Sequence, residues 1–149
     1  MKTSSFKKTV LICIFSALIL VPVSARTVLV HSPSPGENSE EEVKQSSQSA
    51  EAGIMDVLFN RGCIVFSDNT DMDLEGIKKM SVKTDSDFAI DWKLDESGLK
   101  GRLIKISDMT ILEESQISVS DYENLYQNHE ELYTVLGTRL CEMLVGELW

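Results

Sequence analysis

Ser86 to Asp108 reads SDFAIDWKLDESGLKGRLIKISD, and the period of its apolar residues decides the fold. Phe88, Ile90, Trp92 and Leu94 alternate with Ala89, Asp91, Lys93 and Asp95, the two-residue repeat of a strand with one face in a core. Glu96-Ser97-Gly98 supplies hairpin-turn chemistry. Leu99 to Ile106 returns as a second strand, and Ser107-Asp108 turns the chain again. Thr110 to Val119 reads as a third strand, with Glu113, Glu114 and Ser115 marking a bulge or an exposed edge. Three strands joined by short turns form an antiparallel meander.

Upstream, Thr27 to His31 is β-branched and apolar and predicts a strand, stopped by Ser32-Pro33-Ser34-Pro35-Gly36. Ser39 and Glu42 have capping-box spacing and open a helix. Residues 32–50 are polar, so this start is expected to be partly flexible. Val43, Ser47, Ala50, Ile54 and Leu58 then follow helical spacing, and Gly62 is the residue on which the chain leaves the helix. Cys63 to Phe66 is continuous and apolar, the pattern of a strand buried on both faces. A short helix is expected over Asp71 to Met80, with Leu74 and Ile77 inward. Downstream, Ser120 and Glu123 form a second capping box. It predicts a closing helix from Asp121 to about Gly146, with Tyr122, Leu125, His129, Leu132, Leu136, Leu140 and Met143 on its apolar stripe. The expected fold class is α/β (α+β). It is a single small domain with a mixed sheet of about five strands, packed by two main helices and one short one.

The first 25 residues read as a cleaved signal peptide. Lys2, Lys7 and Lys8 precede an apolar run from Val10 to Val21, and Pro22 breaks it before the small-residue site Val23-Ser24-Ala25. The run is about twelve residues, whereas a span takes roughly twenty. Cys13 lies inside the run behind bulky Leu11 and Ile12, so lipid attachment is not expected. The expected mature domain is 26–149, periplasmic ahead of secreted, with no membrane span after cleavage.

Removing three lysines from 14 basic residues leaves 11 against 24 acidic ones, a net charge of −13 for the mature chain. That balance opposes nucleic acid and anionic lipid, which need their phosphates neutralised. Trp149 at the chain end does not make an outer-membrane strand, because its segment has helical spacing.

Chemistry-bearing residues are few. A calcium loop needs alternate oxygen ligands, a bend glycine and a distant bidentate Glu. The run Asp68, Asp71, Asp73, Glu75 meets that pattern in no frame and reads as a capped helix start. His31, His129, Cys63 and Cys141 lack paired zinc-ligand spacing. His129 beside an apolar stripe reads as a structural histidine. Asp91 and Asp95 share a strand face with Lys93 between them, which reads as a neutralised solvated surface. No nucleophile elbow, phosphate-binding loop or dinucleotide fingerprint is present. No catalytic residue, cofactor or metal is expected. Export leaves a disulfide between Cys63 and Cys141 open, against the reading of both as small buried hydrophobes.

The passage AGIMDVLFNRGCIVFSD (Ala52 to Asp68), the hairpin SDFAIDWKLDESGLKGRLIKISD and the capped helix after Ser120 resemble the amino-terminal domain of periplasmic TolB. They also resemble the similar domain of cell-wall synthase activators. A β-propeller follows this domain in TolB, whereas this chain is expected to be one domain. The activators are lipid-anchored, and no suitable cysteine stands here. The resemblance implies a domain that binds other envelope proteins and performs no chemistry. The expected function is therefore an exported, non-enzymatic protein-binding module with an envelope protein as partner. The alternatives are a small-ligand carrier, with its pocket between Trp92, Phe88 and the last helix, and an enzyme of unrecognised type.

Overall fold

Strand β1 (Thr27–His31) lies between β2 (Ile64–Asp68) and β3 (Phe88–Asp95), parallel to both. The computed structural model describes residues 25–33, 35 and 40–146; the signal segment to Ser24, Ser39 of the first capping box and Trp149 lie outside them. Strands β4 (Gly98–Lys105) and β5 (Thr110–Ser118) continue antiparallel from β3, giving the order β2-β1-β3-β4-β5. The meander and the five-stranded mixed sheet agree with the sequence reading.

The order explains where the helices go. Helix α1 (Glu41–Asn60) carries the chain from β1 outward to β2, and α2 (Leu74–Lys83) carries it back across β1 to β3. Parallel crossovers are right-handed, so connections running in opposite directions cover opposite faces. Helix α3 (His129–Val145) then packs beside α1. Val28, Val30, Ile90, Trp92, Leu99, Leu103 and Ile117 point towards α1 and α3 and form the main core with Ala50, Ile54, Leu58, Leu136, Leu140 and Leu144. Trp92 Nε1 is buried in that core without a hydrogen-bond partner among the described residues. A buried donor of that kind costs about 1–3 kcal/mol. On the other face short α2 covers only Leu29, Ala89, Ile104 and Ile106, through Ile77.

Helices α1 and α3 cross through two glycines. A Cβ on Gly137 would overlap the carbonyl oxygen of Ala50, and one on Gly53 would overlap that of Thr134. The Thr138 hydroxyl donates to the Gly53 carbonyl at 3.4 Å. Only residues without side chains permit backbones this close.

Several expectations need correction. The closing helix starts at His129, eight residues after Asp121, and Asn128 caps it by accepting from the amides of Glu130 and Glu131. Ser120 instead hydrogen-bonds Ser118, and Val119–Asp121 makes a single 3-10 turn. Leu125 and His129 therefore leave the stripe and are exposed, and Met143 is 50% exposed, while Leu132, Leu136 and Leu140 are buried as expected. Helix α1 starts at Glu41 behind Glu40, whose side chain makes no cap, and Val43 is exposed. Gly62 does follow α1 with φ +75°. Helix α2 is shifted to Leu74–Lys83 because Asp73 caps it through the Gly76 amide, which leaves Leu74 exposed. Strand β5 is an edge with Glu113 and Glu114 exposed, as expected, while its irregularity falls at Leu112, where the register between Leu103 and Ile104 skips a residue.

Strand β2 is an edge, not a doubly buried strand. Val65 packs against the main core, but Ile64 and Phe66 are 50% and 40% exposed, on the face that α2 leaves open beyond β1. An apolar run carries no information about which strand has neighbours on both sides.

Candidate functional site

Where a parallel sheet changes the direction of its connections, the loops after neighbouring strands part and leave a crevice beyond the strand ends. In the order β2-β1-β3 that point lies between β1 and β3. His31 ends β1 there, and the chain after β2 passes over it at Thr70 to Met72. Beyond α2 the open sheet face forms a groove of about 590 Å³. Its floor is the polar side of β3, β4 and β5.

Cross-strand register builds this floor. Asp91 pairs with His31 of β1 and Arg102 of β4, and Arg102 pairs with Glu114 of β5. One residue pair further along, Lys93 faces Lys100, which faces Gln116. The hairpin turn fixes the first of these relations, so Asp91–Arg102 and Lys93–Lys100 were readable by counting back from Glu96-Ser97. The His31–Asp91 pair was not, because it joins positions 60 residues apart.

His31 is 2% exposed and fully engaged. Its Nδ1 lies 2.7 Å from Asp91 Oδ1, and its Nε2 donates to the Thr70 carbonyl at 2.9 Å. A carbonyl only accepts, so Nε2 carries a proton, and an ionised Asp91 requires one on Nδ1 as well. Arg102 donates from Nε at 2.8 Å and from Nη2 at 2.7 Å to Asp91 Oδ2. The pKa directions agree with this doubly protonated state. Burial alone would lower the His31 pKa, but the Asp91 and Thr70 hydrogen bonds and the charges of Asp91 and Asp68 raise it above 6.5. Burial alone would raise that of Asp91, and the hydrogen bonds and charges of His31 and Arg102 bring it below 3.8. His31 thus has no free lone pair for accepting a substrate proton. The cluster ties three strands together at the groove floor. It also corrects the sequence reading of Asp91: its partners are His31 and Arg102, and Lys93 plays no part in neutralising it.

This geometry carries a pH dependence. His31, with its pKa raised on folding, contributes its full stabilisation below pH 6.5 and loses it as pH rises through its folded pKa. Asp91, with its pKa lowered, contributes above pH 3.8 and loses it as pH falls through its own folded value. Urea unfolding from pH 4 to 9 should show stability declining on the alkaline side, and His31→Gln should flatten that decline. Parallel curves for the two proteins would exclude the imidazolium. The charged groups that enter this balance are Asp91 and Asp68, with Arg102 acting through Asp91; Asp71 lines the same groove.

The other candidates lie elsewhere. Asp95 pairs with Lys100 at 3.0 Å and caps the hairpin turn through Ser97, and these contacts hold its pKa low. His129 stands on the opposite side of the sheet, at the α1–α3 junction. Its ring centroid is 4.7 Å from that of Tyr133, and its Nε2 is 3.5 Å from Glu42. Cys63 and Cys141 are buried free thiols in the main core. Burial raises the pKa of both, that of Cys141 up to about 12, which disfavours the thiolate form at neutral pH. Among the described residues no three His, Cys, Asp or Glu side chains gather as a metal site, and no helix is long and apolar enough to cross a membrane. The ligand pocket expected between Trp92, Phe88 and the last helix is filled: Trp92, Leu136, Leu140 and Leu144 are buried there together. The concavity lies on the other face.

No family model matches this sequence, and no curated protein matches it. The fold is similar to that of PelC from Paraburkholderia phytofirmans, a dodecamer in crystals of space groups C2 and P6. The TM-scores are 0.52 and 0.50 at 11% and 12% identity, over 80% of this chain and 88% and 89% of that one.

Proposed function

We propose that this chain is an exported, non-enzymatic binding module of the bacterial envelope that receives its partner on the open face of its sheet. The observation that supports this reading is the groove at the β1–β3 crevice, floored by polar side chains of which His31, Asp91 and Arg102 are hydrogen-bonded to one another. A polar surface with a preorganised cluster suits recognition, and the one histidine at the groove has both nitrogens occupied. The signal-like amino-terminal segment supports a periplasmic location, and the resemblance to the TolB domain makes an envelope protein the expected partner. A protein of similar fold assembles as a dodecamer, so a second copy of this chain counts among the partners the experiment must detect.

A volume of about 590 Å³ falls within the usual range of small-molecule sites, roughly 300–1,000 Å³, and favours a small-ligand carrier as the second reading. Proximity labelling in the native envelope, with wild type and Gln116→Trp, addresses both. Gln116 lies on β5 facing the groove and outside the core, so the indole fills the groove without entering the core. Neighbours labelled by wild type and lost with Gln116→Trp are the expected result. Identical neighbours for the two proteins would remove the groove from the function, and turnover of a small substrate would remove the non-enzymatic reading.

A further inference from the structure

Lys93 and Lys100 sit directly opposite each other on adjacent antiparallel strands. Like charges in that position repel and destabilise the sheet. Asp95 answers one of them, pairing with Lys100; Lys93 has no ion pair or side-chain hydrogen bond among the described residues. The arrangement is local and against the trend of the chain. The whole sequence has a net charge of −10. Within it the groove sets Lys93, Lys100, Arg102 and a protonated His31 among Asp71, Asp91 and Glu114, with Asp95 held against Lys100, so Lys93 is the cation left over. Asp91 is spent on His31 and Arg102. Glu114 and Asp71, each without a side-chain partner among the described residues, stand off the lysine row as acceptors. Gln116 completes a lining in which polar groups outweigh apolar ones.

We propose that the groove is a binding site for a small, hydroxylated ligand carrying one oxyanion, with the anion between Lys93 and Lys100. The hydroxyls donate to Glu114 and Asp71 and accept from the Gln116 side-chain amide. The proposal rests on the open face being the binding surface and adds the chemistry of what binds there. Arg102 is held by Asp91 and serves as a fixed positive wall, while Lys93 is free to close on the anion. Acidic sugars and sugar phosphates share this chemistry, and the test separates them.

The experiment uses the full chain with D-glucuronate, D-glucose 6-phosphate, neutral D-glucose and sodium chloride at matched ionic strength. Thermal unfolding and amide chemical shifts are the readouts. One of the two anionic sugars is expected to raise the melting temperature saturably and to shift amides of β3, β4 and β5. Glucose and chloride should do neither. Lys93→Gln is expected to raise the melting temperature of the ligand-free protein, because the cross-strand repulsion is gone. It should also weaken the anion about tenfold, as loss of one charged hydrogen bond requires. An unsaturable response to both anions overturns the proposal, as does an equal response in Lys93→Gln/Lys100→Gln. Loss of envelope neighbours with Gln116→Trp would leave the open face as the binding surface even then, so failure of the anion site and failure of the broader reading give different results.

Discussion

Gly137→Ala is expected to lower the melting temperature by roughly 10 °C, the equivalent of about 3 kcal/mol for a domain of this size. At most interior helix positions the same change stabilises by about 0.5–1 kcal/mol, because alanine loses less backbone entropy. Here the sign reverses. The new methyl would meet the Ala50 carbonyl, a backbone atom that cannot rotate away, so α1 and α3 must separate. Separation opens the α1–α3 contact in the main core, and Gly53→Ala should act the same way through Thr134. Gln48→Ala, exposed on α1, is the control and should be neutral or slightly stabilising. Differential scanning calorimetry of the three variants gives the answer. A rise in melting temperature for Gly137→Ala would mean that the helices do not cross at these glycines.

Leu136→Asp should abolish the folded state at 25 °C. Leu136 is fully buried in the main core between α3 and the sheet. A carboxylate placed there has no partner, and the cost is several kcal/mol beyond the lost packing. A domain has only about 5–15 kcal/mol to lose. Leu136→Ala, expected to cost about 2–5 kcal/mol, keeps the position measurable if the aspartate variant does not accumulate. Met143→Asp lies on the same helix but half-exposed, and should change stability by no more than about 0.5 kcal/mol. Far-UV circular dichroism and urea midpoints distinguish the cases. Equal losses at positions 136 and 143 would overturn the orientation of α3.

How much of this was legible depended on the range of the interactions. The alternation from Phe88 to Leu94 is a local property, so the meander and its core face could be read directly, and the two-residue hairpin turn carried the register of Lys93 with Lys100 and Asp91 with Arg102. The charge ladder was therefore half visible. Its other half needed His31, which reaches Asp91 only after two crossovers have placed β1 beside β3. A capping box likewise describes a local option: Ser120 and Glu123 offered one, and the chain used Asn128 instead, where the helix that follows can lay Leu132, Leu136 and Leu140 on the sheet.

The sequence by itself determined the order of strands and helices and the core face of the meander, because hydrophobic period and turn chemistry act over a few residues; it did not place the start of α3 or the exposed face of β2. It also determined an α/β domain in place of a bundle or a barrel. Tertiary structure alone decided that β2 is an edge, that Gly53 and Gly137 let two helices touch, and that the groove opens on the face opposite Trp92. Each of these depends on which distant segment becomes a neighbour, and that is set by the handedness of the crossovers and the limited length of α2, not by any local pattern.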